Sequence, residues 1–116
     1  PAGAGEALDR LLAEYQGTGS GPFEAERGQR LWVTETANGQ GERRACTTCH
    51  GTDLRKPGKH ATTGKVIAPL APSVEPKRLT DERKIRKWLL RNCKWTFGRE
   101  CSPREKGDVL TFIRSQ

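Results

Sequence analysis

Cys46-Thr47-Thr48-Cys49-His50 is the stretch whose reading decides the fold. Two thiols three positions apart, followed at once by an imidazole, have the spacing that attaches a haem covalently. Each thiol can bond one vinyl-derived carbon of the macrocycle, and the adjacent histidine then lies beneath the iron as an axial ligand. Two other chemistries use Cys-x-x-Cys. A redox dithiol belongs in a βαβ setting, which is missing around this motif. A zinc site needs a second ligand pair, yet Cys93 and Cys101 are eight apart instead of the usual two to four, and His50 and His60 are the only histidines. The motif predicts one covalent haem c on Cys46 and Cys49, with His50 as the proximal iron ligand.

The rest of the chain agrees with an enclosed cofactor. Its 116 residues suit one domain, residues 1–116, and only 33% of them are hydrophobic against 30% charged. Mean hydropathy is −0.80. Such a thin apolar complement in a small fold needs supplementing, and a central haem supplies apolar bulk. No stretch approaches the roughly 18 apolar residues that cross a bilayer, so membrane contact is peripheral or absent. Pro1-Ala-Gly-Ala has neither a basic start nor an apolar run, and haem is joined to such motifs outside the bacterial inner membrane. A periplasmic chain that has lost its export signal is expected. Cys93 and Cys101 suit that oxidising compartment if they pair.

Charge is uneven. The formal net charge is +7, but residues 1–26 hold five acids against Arg10, for −4, which leaves +11 on residues 27–116. The basic residues are spread out and no nucleic-acid motif accompanies them, so nucleic acid is not expected as a partner. A redox partner with an acidic face, steered by this field, fits better.

Ala7, Leu8, Leu11, Leu12 and Tyr15 have the spacing of an amphipathic helix over residues 4–15, ended by Gly17-Thr-Gly-Ser-Gly-Pro22. A second helix is expected from about Phe23 to Val33. Gly28 and Trp32 stand four apart on one face of it. The core is similar to that of class I cytochromes c, and that likeness implies that Gly28 allows close approach of the C-terminal helix and that Trp32 meets Phe112 at the crossing. Residues 36–45 read as a polar loop. Residues 51–79, broken by Pro57, Pro69, Pro72 and Pro76, read as a long loop wrapping the cofactor. Thr80 is expected to cap a third helix, striped by Ile85, Trp88 and Leu89 and ending at Asn92. Ser102-Pro103-Arg104-Glu105 opens a C-terminal helix with a capping box, and Val109, Leu110, Phe112 and Ile113 form its buried face. The strand signal is nearly absent. The expected architecture is all-α, with helices around one covalent haem as in small class I cytochromes c.

The sixth iron position is more open. Small monohaem cytochromes commonly place a methionine sulfur there, and this chain has no methionine. His60, a lysine, Tyr15, an asparagine and water remain. His60 is only ten residues beyond His50, a strained reach to the opposite haem face, and reads equally as a solvated loop histidine. Asn92 stands before Cys93, which can close a short loop to Cys101 and restrict the neighbouring side chain; a helix cap beside a plain staple explains the same residues. One of Pro69 and Pro72 offers a carbonyl to the outer nitrogen of His50, or merely stiffens the loop.

At this point the sequence resembles the sphaeroides haem protein family of small, class I-like cytochromes c. The resemblance is carried by Cys-Thr-Thr-Cys-His-Gly at 46–51, Thr63-Gly-Lys-Val-Ile-Ala-Pro-Leu-Ala-Pro-Ser73, Lys87-Trp-Leu-Leu-Arg-Asn-Cys93 and Gly98-Arg-Glu-Cys101, with Glu105-Lys106 beyond. It runs in unbroken order from about residue 24 to the end, while Lys94-Trp95-Thr96-Phe97 matches no family pattern. The resemblance implies that Asn92 is the distal ligand of oxidised haem and is released on reduction. The opened site then binds oxygen and other small diatomics. It also implies a Cys93–Cys101 disulfide, a periplasmic location, and a di-haem or membrane cytochrome as redox partner.

An amide oxygen is a hard, neutral donor, moderately suited to ferric iron and poorly to ferrous, so release on reduction makes chemical sense. Two functions follow. One is an electron carrier coupled to a redox-gated site that binds O2, NO, CO or cyanide. The other is a dedicated haem oxidoreductase, or a protein that binds or senses a diatomic gas. No acid–base constellation is legible, so no catalytic residue is named.

Overall fold

Five helices account for nearly all regular structure in the computed structural model, which describes residues 3–37 and 41–116. The first, α1 (Gly3–Gln16), buries the predicted stripe of Ala7, Leu8, Leu11 and Tyr15. Gly17 and Gly19, whose amides bond back to Ala13 and Gln16, then turn the chain away.

The second helix, α2 (Ala25–Val33), starts two residues later than the periodicity predicts. Phe23 stays outside it because its ring packs flat on Gly107, where a Cβ would stand 2.3 Å from that ring. The Glu24 amide donates to Asp108 Oδ1 at 2.9 Å, so a residue 84 positions away sets the helix start. The expected crossing is present. A Cβ on Gly28 would lie 2.1 Å from the Asp108 carbonyl oxygen, and the Trp32 and Phe112 rings are 6.0 Å apart at 55°. Arg27 completes the joint, donating from Nε to Asp108 Oδ2 at 2.8 Å and from Nη2 to Oδ1 at 3.1 Å. Asp108 is buried, and this pairing is what makes a buried carboxylate tolerable.

Residues 36–45 are not simply a loop. β1 (Thr36–Ala37) pairs antiparallel with β2 (Arg43–Arg44), Thr36 opposite Arg44 and Ala37 opposite Arg43. Two-residue strands carry too little alternation to show in a sequence. After the short helix α3 (Thr47–His50), the expected long loop includes a second small pair, β3 (Gly58–Lys59) with β4 (Val66–Ile67).

The fourth helix corrects two expectations. α4 spans Glu82–Phe97, and its cap is Asp81, whose carboxylate accepts from the Lys84 amide at 3.2 Å. Thr80 instead donates to the Lys77 carbonyl at 2.6 Å. Nor does the helix end at Asn92. It continues for more than a turn to Gly98, which takes the left-handed conformation (φ +72°) that releases a helix at little cost for glycine. α5 (Pro103–Arg114) begins as predicted: Ser102 Oγ accepts from the Glu105 amide at 3.2 Å and Glu105 Oε1 accepts from the Ser102 amide at 2.8 Å.

Two apolar clusters result. Trp32, Leu54, Leu70, Ala71, Val109, Phe112 and Ile113 form one. Leu8, Leu11, Tyr15, Ile85, Leu89 and Leu110 form the other, and Trp88 and Leu79 touch both. Among the described residues no helix is long and apolar enough to cross a membrane.

Candidate functional site

The Cys-Thr-Thr-Cys-His run folds into the single turn of α3, with the His50 amide donating to the Cys46 carbonyl at 3.1 Å. Thr48 closes the turn, its hydroxyl accepting from the Ala45 amide at 3.0 Å. Two thiols and an imidazole are therefore gathered on one turn. Gly51 (φ +71°) reverses the chain directly afterwards. The returning strand β3 passes so close that a Cβ on Gly58 would sit 2.4 Å from the Cys49 carbonyl oxygen.

Cys46 and Cys49 are both free of disulfides and half-buried. Burial pushes the Cys46 thiol up to about 12, with hydrogen bonding to the Thr96 side chain acting against it. A catalytic dithiol needs the opposite, a depressed value that supplies thiolate at neutral pH. The electrostatics thus disfavour the redox-dithiol alternative.

His50 is buried, at 6% exposure, between two indoles. Its ring lies 5.4 Å from Trp32 and 6.0 Å from Trp88, centroid to centroid. Burial lowers its pKa to about 4, partly offset by the nearby Asn92 side chain. The imidazole is consequently neutral at pH 7, the form that ligates metals. Trp32 is itself held by donating from Nε1 to the Gly51 carbonyl at 3.2 Å.

Asn92 reaches His50 from the interior of α4, 42 positions away in sequence. Its Nδ2 donates to the Trp88 carbonyl at 2.8 Å, a bond within its own helix. The next residue, Cys93, is joined to Cys101 by a disulfide with S–S 2.02 Å and Cα–Cα 5.7 Å. Because α4 runs past it, this bond staples mid-helix to the residue preceding the α5 cap; it does not clamp a loop that begins at a helix end. Asn92, Cys46 and Phe97 line a cavity of about 10 Å3 beside the disulfide, room for about one water.

The other candidate ligands have different work. His60 Nδ1 accepts from the amides of Thr62 and Thr63, at 3.2 and 3.1 Å, and so shapes the turn between β3 and β4. Tyr15 belongs to the cluster under α1, where burial raises its pKa. The Pro69 carbonyl takes the Arg78 Nε–H at 2.9 Å and that of Ala68 takes its Nη2–H at 2.8 Å.

A larger cleft of about 670 Å3 adjoins this site through Trp88, although neither cysteine nor His50 lines it. Leu70, Leu79, Ile85, Trp88 and Ile113 make it apolar, and Lys77, Arg78, Lys84, Lys87 and Arg91 stand around them. None of these five cations forms an ion pair among the described residues. A flat apolar ring bearing two carboxylates matches both the apolar walls and the unpaired cations. Together with two free thiols and a neutral imidazole on one turn, the residues fit a covalently attached haem. Leu79 lines the same cleft with φ +61°, a left-handed conformation that costs a non-glycine residue roughly 1–2 kcal/mol. Neither Leu79 nor Arg78 stands out in sequence, because a lone apolar or basic residue in a proline-rich segment has no pattern to mark it.

The fold and site describe a monohaem cytochrome c with a class I-like helical fold and covalently bound haem c. Residues 18–113 match a family described as a domain of unknown function, DUF1924. The chain is 44% identical over its whole length to the cytochrome c-type protein SHP of Cereibacter sphaeroides, covering 90% of that protein. It is 37% identical over 76 residues to cytochrome c'' of Methylophilus methylotrophus, or 66% of this chain and 53% of that one. Among solved structures, oxidised SHP, described as an oxygen-binding cytochrome c, superimposes with a TM-score of 0.86 at 43% identity, covering 94% of this chain and 96% of its own. Oxidised cytochrome c'' does so with 0.83 at 26% identity, covering 96% and 95%. The chain belongs to the sphaeroides haem protein family.

Proposed function

We propose that this cytochrome transfers single electrons through one haem whose sixth position is gated by Asn92. In this reading residues 1–116 form one haem domain, Cys46 and Cys49 carry the two thioether bonds, and neutral His50 is the proximal ligand. The haem supplies one-electron exchange and an axial position at which a small molecule can bind. Asn92 would supply a carboxamide oxygen to ferric iron, and reduction would weaken that bond, since an amide suits the harder oxidation state. Cys93, tied to Cys101, limits how far the backbone next to Asn92 can travel. The observation that carries the reading is the placement of the Asn92 side chain beside His50 in a chain without methionine.

Its ligands are then small diatomics such as O2, NO and CO, or cyanide, in keeping with the oxygen-binding description of the similar SHP structure. Its electron partner is an acidic di-haem or membrane cytochrome, drawn by the +11 charge of residues 27–116, and the setting is the periplasm. That same description favours one second reading, a haem protein whose main business is oxygen binding or turnover instead of electron carriage.

Absorption spectra of the oxidised and reduced protein, with and without carbon monoxide, test the gate. Reduced protein should be largely five-coordinate and bind carbon monoxide readily, and Asn92→Ala should speed cyanide binding to the oxidised form with haem attachment intact. A reduced protein that is low-spin and closed to carbon monoxide would leave Asn92 a structural residue of a plain electron carrier. Electron exchange with an acidic cytochrome should slow between low and high salt, because at 0.1 M ionic strength the field reaches only about 10 Å.

A further inference from the structure

The strand pair that leads into the Cys-Thr-Thr-Cys-His turn also grips the end of α4. Thr36 Oγ1, on β1, donates to the Thr96 carbonyl at 3.1 Å, and Arg44 Nη1, on β2, donates to the Trp95 carbonyl at 3.2 Å. Both are last-turn carbonyls, which find no partner inside a helix. The Arg44 guanidinium also lies 4.1 Å above the Trp95 ring. Glu42 Oε2 steadies it from the other side, accepting from Nη2 at 2.7 Å and from Nε at 3.1 Å. Its side chain is only 15% exposed, so it is packed in place.

Two residues beyond Arg44 is Cys46, whose thiol lies near the Thr96 side chain. One short segment therefore contacts the carboxyl end of the helix bearing Asn92 and runs directly into the turn bearing His50. The disulfide at Cys93 ties the same helix to the start of α5. With α4 held at both places, a rigid shift of the helix away from His50 would break several contacts at once. Rotation of the Asn92 side chain breaks none of them, and its carboxamide already has a partner within its own helix in the Trp88 carbonyl.

We propose that Arg44 is a positioning residue for Asn92: it pins α4 to the strand leading into Cys46, so that Asn92 leaves and returns by side-chain rotation across a fixed gap. The inference rests on Asn92 being the distal ligand. The test is a double-mutant cycle on holo-protein, with cyanide binding to the oxidised form as the kinetic readout and the high-spin electron paramagnetic resonance signal as the spectroscopic one. Arg44→Ala should speed cyanide binding by between about two- and tenfold, the factor to which one net hydrogen bond corresponds. It should also raise the high-spin fraction, and Arg44→Lys should recover part of the change by keeping a cation over Trp95. In an Asn92→Ala background, Arg44→Ala should add nothing. Thr36→Val, a milder change at the same helix end, should act in the same direction, so that poor folding of the arginine variant leaves the test standing. A wild-type rate in both Arg44→Ala and Thr36→Val, with Asn92→Ala fast, overturns the clamp and spares the gate. Acceleration by Arg44→Ala that persists without Asn92 also overturns it, because the residue then acts elsewhere. If Asn92→Ala itself changes nothing, the gate fails and the clamp with it.

Discussion

The crossing of α2 and α5 and the meeting of α3 with α4 are built on opposite plans. At the first, backbone touches backbone: Gly28 leaves no room for a Cβ against the Asp108 carbonyl, and Asp108 is held by Arg27 and the Glu24 amide. Each group there has one good arrangement. At the second, the Asn92 side chain lies beside His50 while its Nδ2 donates to the Trp88 carbonyl of its own helix, so the two elements meet through side chains. Close packing makes a joint that resists change, whereas in the proposed function the second meeting point is the one that would change, through one side chain on a fastened helix.

Substitutions should separate the two regions. Gly28→Ala forces the helices apart and should cost about 3 kcal/mol in denaturant unfolding, while the ligand-binding rates of the surviving folded protein stay near wild type. Equal loss of stability and of gating would show that the regions are coupled. Cys93→Ser with Cys101→Ser should cost about 2–3 kcal/mol in the loop-entropy model, and haem should remain attached. Faster cyanide binding in that variant would assign the disulfide to the gate as well as to the fold. Asn92→Ala should change stability by less than about 1 kcal/mol, the net worth of one part-buried hydrogen bond, while altering ligand binding far more than either stability variant does.

The smallest effect concerns acid. The Arg99 guanidinium holds the Glu105 carboxyl below its ordinary value, with burial opposing and the Ser102 amide assisting. Because the folded value is depressed, this group stabilises the protein above the ordinary carboxylate range, and the contribution is lost as pH falls through the folded value. Glu105→Gln should therefore flatten the stability profile slightly below about pH 4.5 without touching the haem spectrum. A spectral change would mean that Glu105, which lines the small cavity beside Asn92, also acts on the site.

Much of this was legible in advance, for local reasons. The α1 stripe and the Ser102 capping box each follow from spacings within a few residues, while the Gly28 contact was expected from the likeness to class I cytochromes c. The misreadings also have physical causes. Asn92 reads as a helix end because asparagine favours such ends, but α4 ends at Gly98, and the final turn is secured by Thr36 and Arg44 from 60 and 51 positions away. Thr80 reads as a cap because it precedes two acids, but Asp81 is the residue whose carboxylate reaches the Lys84 amide. The start of α2 was hidden because it depends on Phe23 finding Gly107.

By itself the sequence determined the chemistry: two thiols and an imidazole on one turn, no methionine, helical periodicity in four segments separated by loops, and a strongly basic chain after residue 26. Those are covalent or short-range properties, complete within a few neighbouring residues. Only the tertiary structure decided that Asn92 faces His50, that His60 is spent on a turn, and that Arg44 and Thr36 hold the helix between them. Each of those facts except the turn of His60 joins residues more than 40 positions apart, and chain spacing sets no distance between such residues until the helices have packed.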